Sequence, residues 1–371
     1  MAEEPQVHQG LTDEGIIDVP GLASRWVRLA DGRRAHYMTS GDKGPAVILL
    51  HGGIEGSSGT AGWRFMAPFL GANGFRVYCP DRPAYGLADT SNLAYLDAGP
   101  KAQVEFIKMF ADALCLDTFH LAGNSAGCTA SAWFVINHPD RIKSVAFIAG
   151  GIGDVAGPKK VAPAQSKFTP SPDFQRKAFD GSSAESMKEM MASIIYREAA
   201  VSPEMVEMRV RAAKTQRAAR EGLGGPTIGR QLALTDDPNI LQFMSTKERI
   251  TRLTFPMIYL YGLLDVLLPV ENGFNQEDHV SNIQFFYPDE TGHQGQTDRP
   301  DIFNQTFLEF FRDGKVSWPT AQAAGVSLRR PIDPNRVEEP EGGFPAPKPE
   351  IYSDITTLRA GLKALNLKSE L

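Results

Sequence analysis

A serine framed by small residues, in the stretch Gly123-Asn124-Ser125-Ala126-Gly127, has the spacing of a reactive nucleophile. An apolar run, TFHLA at 118–122, leads into this G-x-S-x-G motif, and a helical pattern, CTASAWFVINHPD at 128–140, leads out of it. A sharp turn between a strand and a helix exposes a serine hydroxyl above the sheet, and small neighbours tolerate the strained backbone. The helix N-terminus also favours negative charge beside the serine. The spacing therefore predicts that Ser125 is a catalytic nucleophile.

A serine hydroxyl is a poor nucleophile unless a base removes its proton, and the chain offers seven histidines. His293 lies in ETGHQG, after the apolar run IQFFY (283–287) and before a helical pattern. A loop at that strand end can bring the imidazole over Ser125, and the base comes last in the chain order serine, acid, histidine. The other six histidines lack this placement, so His293 is the predicted general base.

The carboxylate that orients the base is expected in the loop after the preceding strand. Asp265 follows the run PMIYLY (256–261), and its carboxylate would fix the histidine tautomer and stabilise the imidazolium. The alternative is Asp154, which follows the run SVAFIA (144–149). We predict Asp265 as the third member of a serine–histidine–aspartate triad.

The negative charge that develops on a substrate oxygen needs backbone N–H donors. Ala126, directly after the nucleophile, is expected to supply one donor of this oxyanion hole. The stretch His51-Gly52-Gly53 follows the first core strand, AVILL, and Gly53 is the predicted second donor. His51 itself is expected to be structural.

Short apolar runs alternate with helical patterns along the chain, which predicts a mostly parallel central sheet with helices on both faces. The runs are AVILL (46–50), FRVYC (75–79), TFHLA, SVAFIA, PMIYLY and IQFFY. The preceding segment, RWVRLADGRRAHYMTSG (25–41), alternates around a DG turn and predicts an antiparallel hairpin.

Four regions are predicted. Residues 20–150 and 251–312 form the two parts of one α/β core, and residues 151–250, where the strand rhythm stops, form a helical lid over the sheet edge. Residues 313–371 form a Pro-rich C-terminal arm that ends in a short amphipathic helix. The apolar stripe of that helix consists of Ile355, Leu358, Leu362 and Leu365.

Composition argues against several classes of partner. The formal charge of −6 and isoelectric point of 5.7 give no overall attraction to nucleic acids or anionic membranes. No stretch reaches the ~20 apolar residues of a membrane span, and the first residues lack the pattern of a secretory signal, so we expect a cytoplasmic protein. Three cysteines without CxxC spacing, and no HExxH, P-loop or dinucleotide motif, predict neither metal nor organic cofactor.

With these motifs placed, residues 25–312 resemble the α/β-hydrolase superfamily. Within it the sequence is similar to the meta-cleavage product hydrolases, which split carbon–carbon bonds in ring-opened aromatic compounds. The stretches that carry this resemblance are VILLHGGIEGSSG, W-R-x-M-x-PFL, PDRPAYGLAD and above all GNSAG, in which Asn124 precedes the nucleophile.

The resemblance extends to the lid and implies substrate-binding residues. In SIIYREAAVSPEMVEMRVRAA a serine opens a helix, and Arg209 matches the arginine that pairs with a substrate carboxylate in that family. Asn124, Gly52 and Gln294 are further expected contacts. The sequence departs from the family at Gln294, where a tryptophan is usual, and at GGIEGSSG, which introduces Glu55.

Three functions remain open from the residues alone. The first is hydrolysis of a carbon–carbon bond in a carboxylate-bearing vinylogous diketone, and the second is hydrolysis of a carboxylic ester or lactone by the same triad. The third is a non-catalytic receptor or interaction protein on the same fold. A small-molecule substrate derived from an aromatic compound is the expected partner, and the oligomeric state, homo-oligomers included, is open.

Overall fold

A computed structural model describes residues 18–89, 99–155, 183–216 and 237–353. Eight strands form one sheet in the order β1-β2-β4-β3-β5-β6-β7-β8. The strands are β1 Ala23–Arg28, β2 Arg34–Ser40, β3 Ala46–Leu50, β4 Arg76–Pro80, β5 Phe119–Asn124, β6 Ile142–Ile148, β7 Met257–Leu260 and β8 Gln284–Phe286. Every predicted apolar run forms one of these strands.

Strand direction separates the sheet into two parts. Strands β1 and β2 form the expected hairpin, and β2 also runs antiparallel to β4. From β4 to β8 all neighbours are parallel. The α/β fold is therefore confirmed. Because parallel strands share one C-terminal edge, the loops after β3, β5, β7 and β8 meet there.

Helices join the parallel strands, and three of those described lie between β6 and β7, in the region predicted as a lid. They are α1 Gly59–Trp63, α2 Met66–Ala72, α3 Gly99–Ala113, α4 Ala126–Asn137, α5 Ala184–Ile194, α6 Pro203–Thr215, α7 Pro238–Met244, α8 Glu271–Glu277, α9 Gly295–Asp298, α10 Pro300–Asp313 and α11 Trp318–Ala323. Helix α4 is buried almost all round, which fits its position behind the central strand β5.

Helices α5 and α6 belong to the predicted lid and have their own apolar cluster, separate from the main core. The cluster includes Met187, Met190, Met191, Ile194, Ile195, Met205 and Val206. It also takes in Ile54 from the loop after β3, while Val266 and Leu267 from the loop after β7 pack against it. The lid helices are thus seated on the two loops that carry predicted site residues.

The chain beyond α10 covers the open edge of β8. Val326 pairs with Phe286, and Tyr287 N donates to Gly325 O at 2.7 Å. An uncovered edge strand offers unpaired N–H and C=O groups to other chains, and this segment removes that hazard. Residues 331–348 are extended apart from turns and one bridge, and a short 3-10 helix spans Pro349–Tyr352. The predicted terminal amphipathic stripe lies outside the described residues.

No helix within the described ranges is long and apolar enough to cross a bilayer.

Candidate active site

Ser125 occupies a strained turn between β5 and α4. Its backbone has φ 56° and ψ −119°, a conformation that residues other than glycine rarely adopt. Ser125 N donates to Ile148 O at 2.9 Å, which ties the turn to the neighbouring strand β6. The next residue, Ala126, is the first of α4, whose leading N–H groups lack an acceptor within the helix. The predicted strand–turn–helix presentation of Ser125 is therefore present.

The glycines of G-x-S-x-G are required by close packing. A Cβ atom at Gly123 would lie 2.2 Å from Gly127 O, and one at Gly127 would lie 2.3 Å from Leu50 O. Both distances are far shorter than a van der Waals contact, so any side chain would push the turn away from β3. These glycines hold Ser125 against the loop that follows β3.

His293 and Asp265 form a buried pair. His293 Nδ1 lies 2.7 Å from Asp265 Oδ2, and the other carboxylate oxygen, Oδ1, accepts from Leu267 N at 2.9 Å and Leu268 N at 2.8 Å. Because a carboxylate in this setting only accepts, the imidazole proton sits on Nδ1. His293 Nε2 is buried and has no hydrogen-bond partner among the described residues. Its lone pair is thus left to accept a proton.

The side chain of Asn124 fastens the histidine loop to the nucleophile turn. Asn124 Nδ2 donates to His293 O at 3.1 Å, and the residue is 1% exposed. A Cβ atom at Gly52 would lie 3.3 Å from both Asn124 Oδ1 and Ser125 Cβ. The loops after β3, β5 and β8 therefore meet at Asn124. Its donor is directed at the protein backbone, although the resemblance had implied a substrate contact.

Asp154, the alternative acid, has other partners. Asp154 Oδ1 accepts from Thr246 N at 2.7 Å and Lys247 N at 3.0 Å, and Oδ2 accepts from the hydroxyl of Ser245 at 2.8 Å. It orders the chain after α7. Of the two candidates, the structure pairs Asp265 with His293.

The loop His51-Gly52-Gly53 is held from behind by Arg82. Arg82 N donates to His51 Nε2 at 2.9 Å, and Arg82 Nη1 donates to His51 O at 3.1 Å. His51 Nδ1 donates in turn to Gly52 O at 2.7 Å. Burial and then the charge of Arg82 lower the pKa of His51 to about 3, so this histidine is neutral and structural, as expected. Sequence analysis quoted Arg82 only within PDRPAYGLAD and assigned it no role.

Arg209 lies on α6, whose N-cap is Ser202, the serine expected to open this helix. The residue is 1% exposed, and its Nη2 donates to Gln294 Oε1 at 3.0 Å. Arg209 Nε has no hydrogen-bond partner, and no carboxylate in the part of the chain that the structure describes pairs with this guanidinium. Burial, and next the charge of Arg64, lower the pKa of Arg209 to about 9. Arg211, by contrast, pairs with Glu207 on the surface.

Gln294 connects this arginine to the base. It follows His293 directly, is 2% exposed and accepts from Arg209 as described. Gln294, which stands where the family usually has tryptophan, therefore orients Arg209.

A hydrogen-bonded chain of serine, histidine and aspartate lies elsewhere in the sheet. Ser24 Oγ is 2.9 Å from His36 Nε2, and His36 Nδ1 is 2.7 Å from Asp81 Oδ2. Ser24 is on the outer strand β1 and His36 on β2, opposite Trp26 in the hairpin register. Sequence analysis gave none of these residues a role, since only the pairing of β1, β2 and β4 brings them together.

No group of three or more histidine, cysteine or acidic side chains within the described ranges could hold a metal ion.

A family model described as the alpha/beta hydrolase fold matches residues 45–182. A curated relative from Pseudomonas putida, 2-hydroxy-6-oxononadienedioate/2-hydroxy-6-oxononatrienedioate hydrolase 1, is 27% identical over 297 residues, which cover 77% of this chain and 96% of the relative. The 2-hydroxy-6-oxo-6-phenylhexa-2,4-dienoate hydrolase of Burkholderia cepacia is 26% identical over 287 residues, covering 76% and 92%.

Solved structures with the same fold include enzymes of more than one kind. The 2-hydroxy-6-oxo-6-phenylhexa-2,4-dienoate hydrolase of Rhodococcus sp. strain RHA1 has a TM-score of 0.61 at 22% identity, covering 78% of this chain and 99% of the other. A membrane phospholipase A described as a bacterial virulence factor has a TM-score of 0.60 at 20% identity, covering 79% and 86%. At these identities the likeness shows the fold alone. The chain is therefore a hydrolase with the α/β-hydrolase fold, and its sequence is similar to those of the meta-cleavage product hydrolases.

Proposed function

We propose that this enzyme hydrolyses a carbon–carbon bond in a carboxylate-bearing vinylogous diketone, the kind of compound that ring cleavage of an aromatic substrate produces. The observation that carries the proposal is Arg209, a buried guanidinium without a carboxylate partner within the described ranges, hydrogen-bonded to the residue next to His293. The curated relatives, which are named for dienoate and dienedioate substrates, support it.

Energetics explain why Arg209 is suited to a substrate carboxylate. Burying a cation without a neighbouring anion costs free energy, and for this reason the pKa of Arg209 is lowered. An incoming carboxylate would relieve that penalty and gain charge-assisted hydrogen bonds from the planar guanidinium. Nη2 donates to Gln294 and Nη1 to the backbone oxygen of Glu55, whereas Nε has no partner, so the guanidinium keeps N–H donors for a ligand. The site therefore favours substrates with an acid group over neutral ones.

The proposed reaction uses the triad in two stages. His293 first assists ketonisation of the dienol, which places a proton on the carbon that will become the leaving group. Ser125 then supports attack on the distal carbonyl, with His293 Nε2 taking the proton and Asp265 stabilising the imidazolium. The N–H groups of Gly53 and Ala126 stabilise the oxyanion.

Atoms balance across this sequence as a hydrolysis. The carbon–carbon bond next to the distal carbonyl breaks, and a carbon–oxygen bond to the acyl carbon forms in its place. Water supplies the hydroxyl group retained by the acyl product, and its proton restores the enol hydroxyl of the dienoate, whose own proton moved to carbon during ketonisation. The products are a hydroxydienoate and a carboxylic acid.

Hydrolysis of a carboxylic ester or lactone is the second candidate function. Gln294 in place of the usual tryptophan makes the wall beside His293 more polar, which suits a more polar leaving group. Both reactions need the same triad and oxyanion donors, so the catalytic groups do not separate them. A non-catalytic receptor role would require that Ser125 be dispensable.

The test compares two substrates and two arginine variants. We would measure kcat/KM for a coloured ring-cleavage dienol acid and for a neutral p-nitrophenyl ester, with Arg209→Ala and, as the matched control, Arg211→Ala two residues along the same helix. The proposal predicts preference for the dienol acid and a loss of about 2 kcal/mol or more in its transition-state binding with Arg209→Ala, roughly 30-fold in kcat/KM. Arg211→Ala should change it less than about twofold. Preference for the ester would establish the second candidate instead.

A further inference from the structure

Asp298 is a buried carboxylate that the proposed reaction does not use. It lies at the end of the short helix α9, five residues after His293, and is 2% exposed. Burial raises the pKa of this carboxyl, and N–H groups of Arg197, Tyr196 and Gly292 oppose the rise. A buried carboxylate is costly unless such donors surround it, so its position calls for an explanation.

The two oxygens of Asp298 contact different parts of the chain. Oδ2 accepts from Gly292 N at 2.8 Å, which is the residue before the predicted base. Oδ1 accepts from Arg197 N at 2.8 Å, in the turn that follows lid helix α5. One side chain thus joins the loop of His293 to the lid.

The same two segments also touch directly. His293 N donates to Ile194 O at 2.8 Å, at the last residue of α5. A Cβ atom at Gly292 would lie 2.5 Å from that carbonyl oxygen, so the segments approach as closely as a glycine allows. On the surface, Arg197 and Glu290 form a half-exposed ion pair at 3.3 Å, which contributes little.

We propose that Asp298 is a positioning residue that couples the docked lid to the orientation of His293. The hydrogen bonds from Gly292 N and Arg197 N fix the histidine loop only while the lid turn is in place. Movement of that turn would remove the N–H donors of Tyr196 and Arg197 from Asp298 and the Ile194 acceptor from His293 N. His293 is therefore oriented when the lid is docked, so that the base and the lid helix that carries Arg209 are placed together. This inference rests on the proposed role of His293 as base.

A proline at position 197 removes the Arg197 donor without altering Asp298 and leaves the N–H of Tyr196 in place. The φ of Arg197 is −87°, close to the range that proline adopts, and proline has no N–H group. Arg197→Ala is the matched control, since it loses the same side chain and the ion pair with Glu290 but keeps the N–H. Asp298→Asn tests the other partner, because an amide keeps one acceptor and turns a donor toward the second N–H group.

Measurements of kcat, KM and amide exchange distinguish coupling between the lid and His293 from a merely structural role of Asp298. For p-nitrophenyl acetate, which carries no carboxylate for Arg209, kcat per titrated active site should fall about tenfold in Arg197→Pro and Asp298→Asn, with KM changing less than about twofold. Arg197→Ala should stay within twofold of the wild type. Hydrogen exchange at the amides of residues 292 and 293 should quicken in Arg197→Pro but not in Arg197→Ala.

Two results would overturn the inference. One is an unchanged kcat in Arg197→Pro, with KM raised only for carboxylate substrates, which would mean that the lid binds substrate without acting on His293. The other is equal amide exchange in the proline and alanine variants. If Asp298→Asn does not fold, the proline and alanine pair still decides. A wild type inactive toward both the dienol acid and p-nitrophenyl acetate would contradict the proposed function, while the exchange measurement would still test the coupling.

Discussion

Two buried histidine–aspartate pairs have the same nitrogen–oxygen distance of 2.7 Å, His293–Asp265 beside the turn of Ser125 and His36–Asp81 beside Ser24, yet only the first has the surroundings expected of a catalytic site. Ser125 sits in a strained turn before a helix, and Nε2 of His293 is unoccupied among the described residues. Ser24 sits in an ordinary edge strand, and Nε2 of His36 is already bonded to it at 2.9 Å.

The aspartates differ as much as the serines. Asp265 accepts two N–H groups from its own loop, so its contacts orient one imidazole. Asp81 accepts from Gly59 N at 2.7 Å and Leu87 N at 2.8 Å as well as from His36, and thereby joins three distant parts of the chain. Hydrogen bonds that link a serine, a histidine and an aspartate are therefore not enough to make the serine a nucleophile. The turn, the helix N-terminus and the nearby glycine loop supply what Ser24 lacks.

The largest expected effect separates the two serines. Ser125→Ala should reduce kcat by about 10⁴-fold or more, because no other group can form or support the bond to the acyl carbon. Ser24→Ala should leave kcat within twofold of wild type. Steady-state rates of both variants with the same substrate provide the measurement. A large loss of kcat in Ser24→Ala would contradict the assignment of Ser125, rather than Ser24, as the nucleophile.

The next effect separates the two aspartates. Asp265→Asn should lower kcat by about 10³- to 10⁴-fold, since the amide favours the wrong tautomer of His293. The expected loss for Asp81→Asn is one of stability, about 1–3 kcal/mol in the free energy of unfolding, because its buried N–H partners lose an acceptor. Measurements of kcat and of denaturant unfolding on both variants would check that Asp265→Asn loses mainly activity and Asp81→Asn mainly stability.

The contribution of Asp81 to the free energy of unfolding should also depend on pH. Burial alone would raise the pKa of this carboxyl, but His36 and the N–H donors hold the pKa below its usual value. A folded pKa below the unfolded one gives stability that is present above about pH 4 and is lost as the pH falls through the folded pKa. The difference in unfolding free energy between wild type and Asp81→Asn should therefore narrow in acid. A constant difference down to pH 2 would contradict this.

A smaller effect concerns Arg209, which has no carboxylate partner among the residues that the structure describes. Replacing a buried charge by an apolar side chain is often neutral or stabilising, so Arg209→Met should unfold at a free energy within about 1 kcal/mol of the wild type or higher. A carboxylate product analogue should raise the Tm of the wild type and not that of Arg209→Met. Equal Tm shifts in the two proteins would show that the acid group binds elsewhere.

The smallest expected effect is that of Ser24→Ala on stability. Losing one partly buried hydrogen bond to His36 should cost about 1 kcal/mol in the free energy of unfolding. Chemical denaturation of this variant sharpens the contrast with Ser125→Ala, which should lose activity without losing stability.

Much of the fold could be predicted because its strands are short, apolar and buried on both faces. AVILL corresponds residue for residue to β3, and Ser125, Asp265 and His293 each follow a recognisable strand whose C-terminal end meets the others. Arg209 was reached only through the family resemblance, since the helical pattern does not distinguish it from Arg211. The contacts of Asp298, and the pairing of Ser24 with His36, depend on how the lid docks and how β1 registers with β2, which no local pattern encodes.

The most direct test of the account is covalent labelling of the nucleophile. Wild type, Ser125→Ala and Ser24→Ala would each be treated with a fluorophosphonate, and intact masses and peptides would be measured. We expect one adduct on Ser125 in the wild type, an equally fast adduct in Ser24→Ala, and none in Ser125→Ala. An adduct that persists in Ser125→Ala, or a wild type that does not react, would contradict the assignment of Ser125 as the nucleophile.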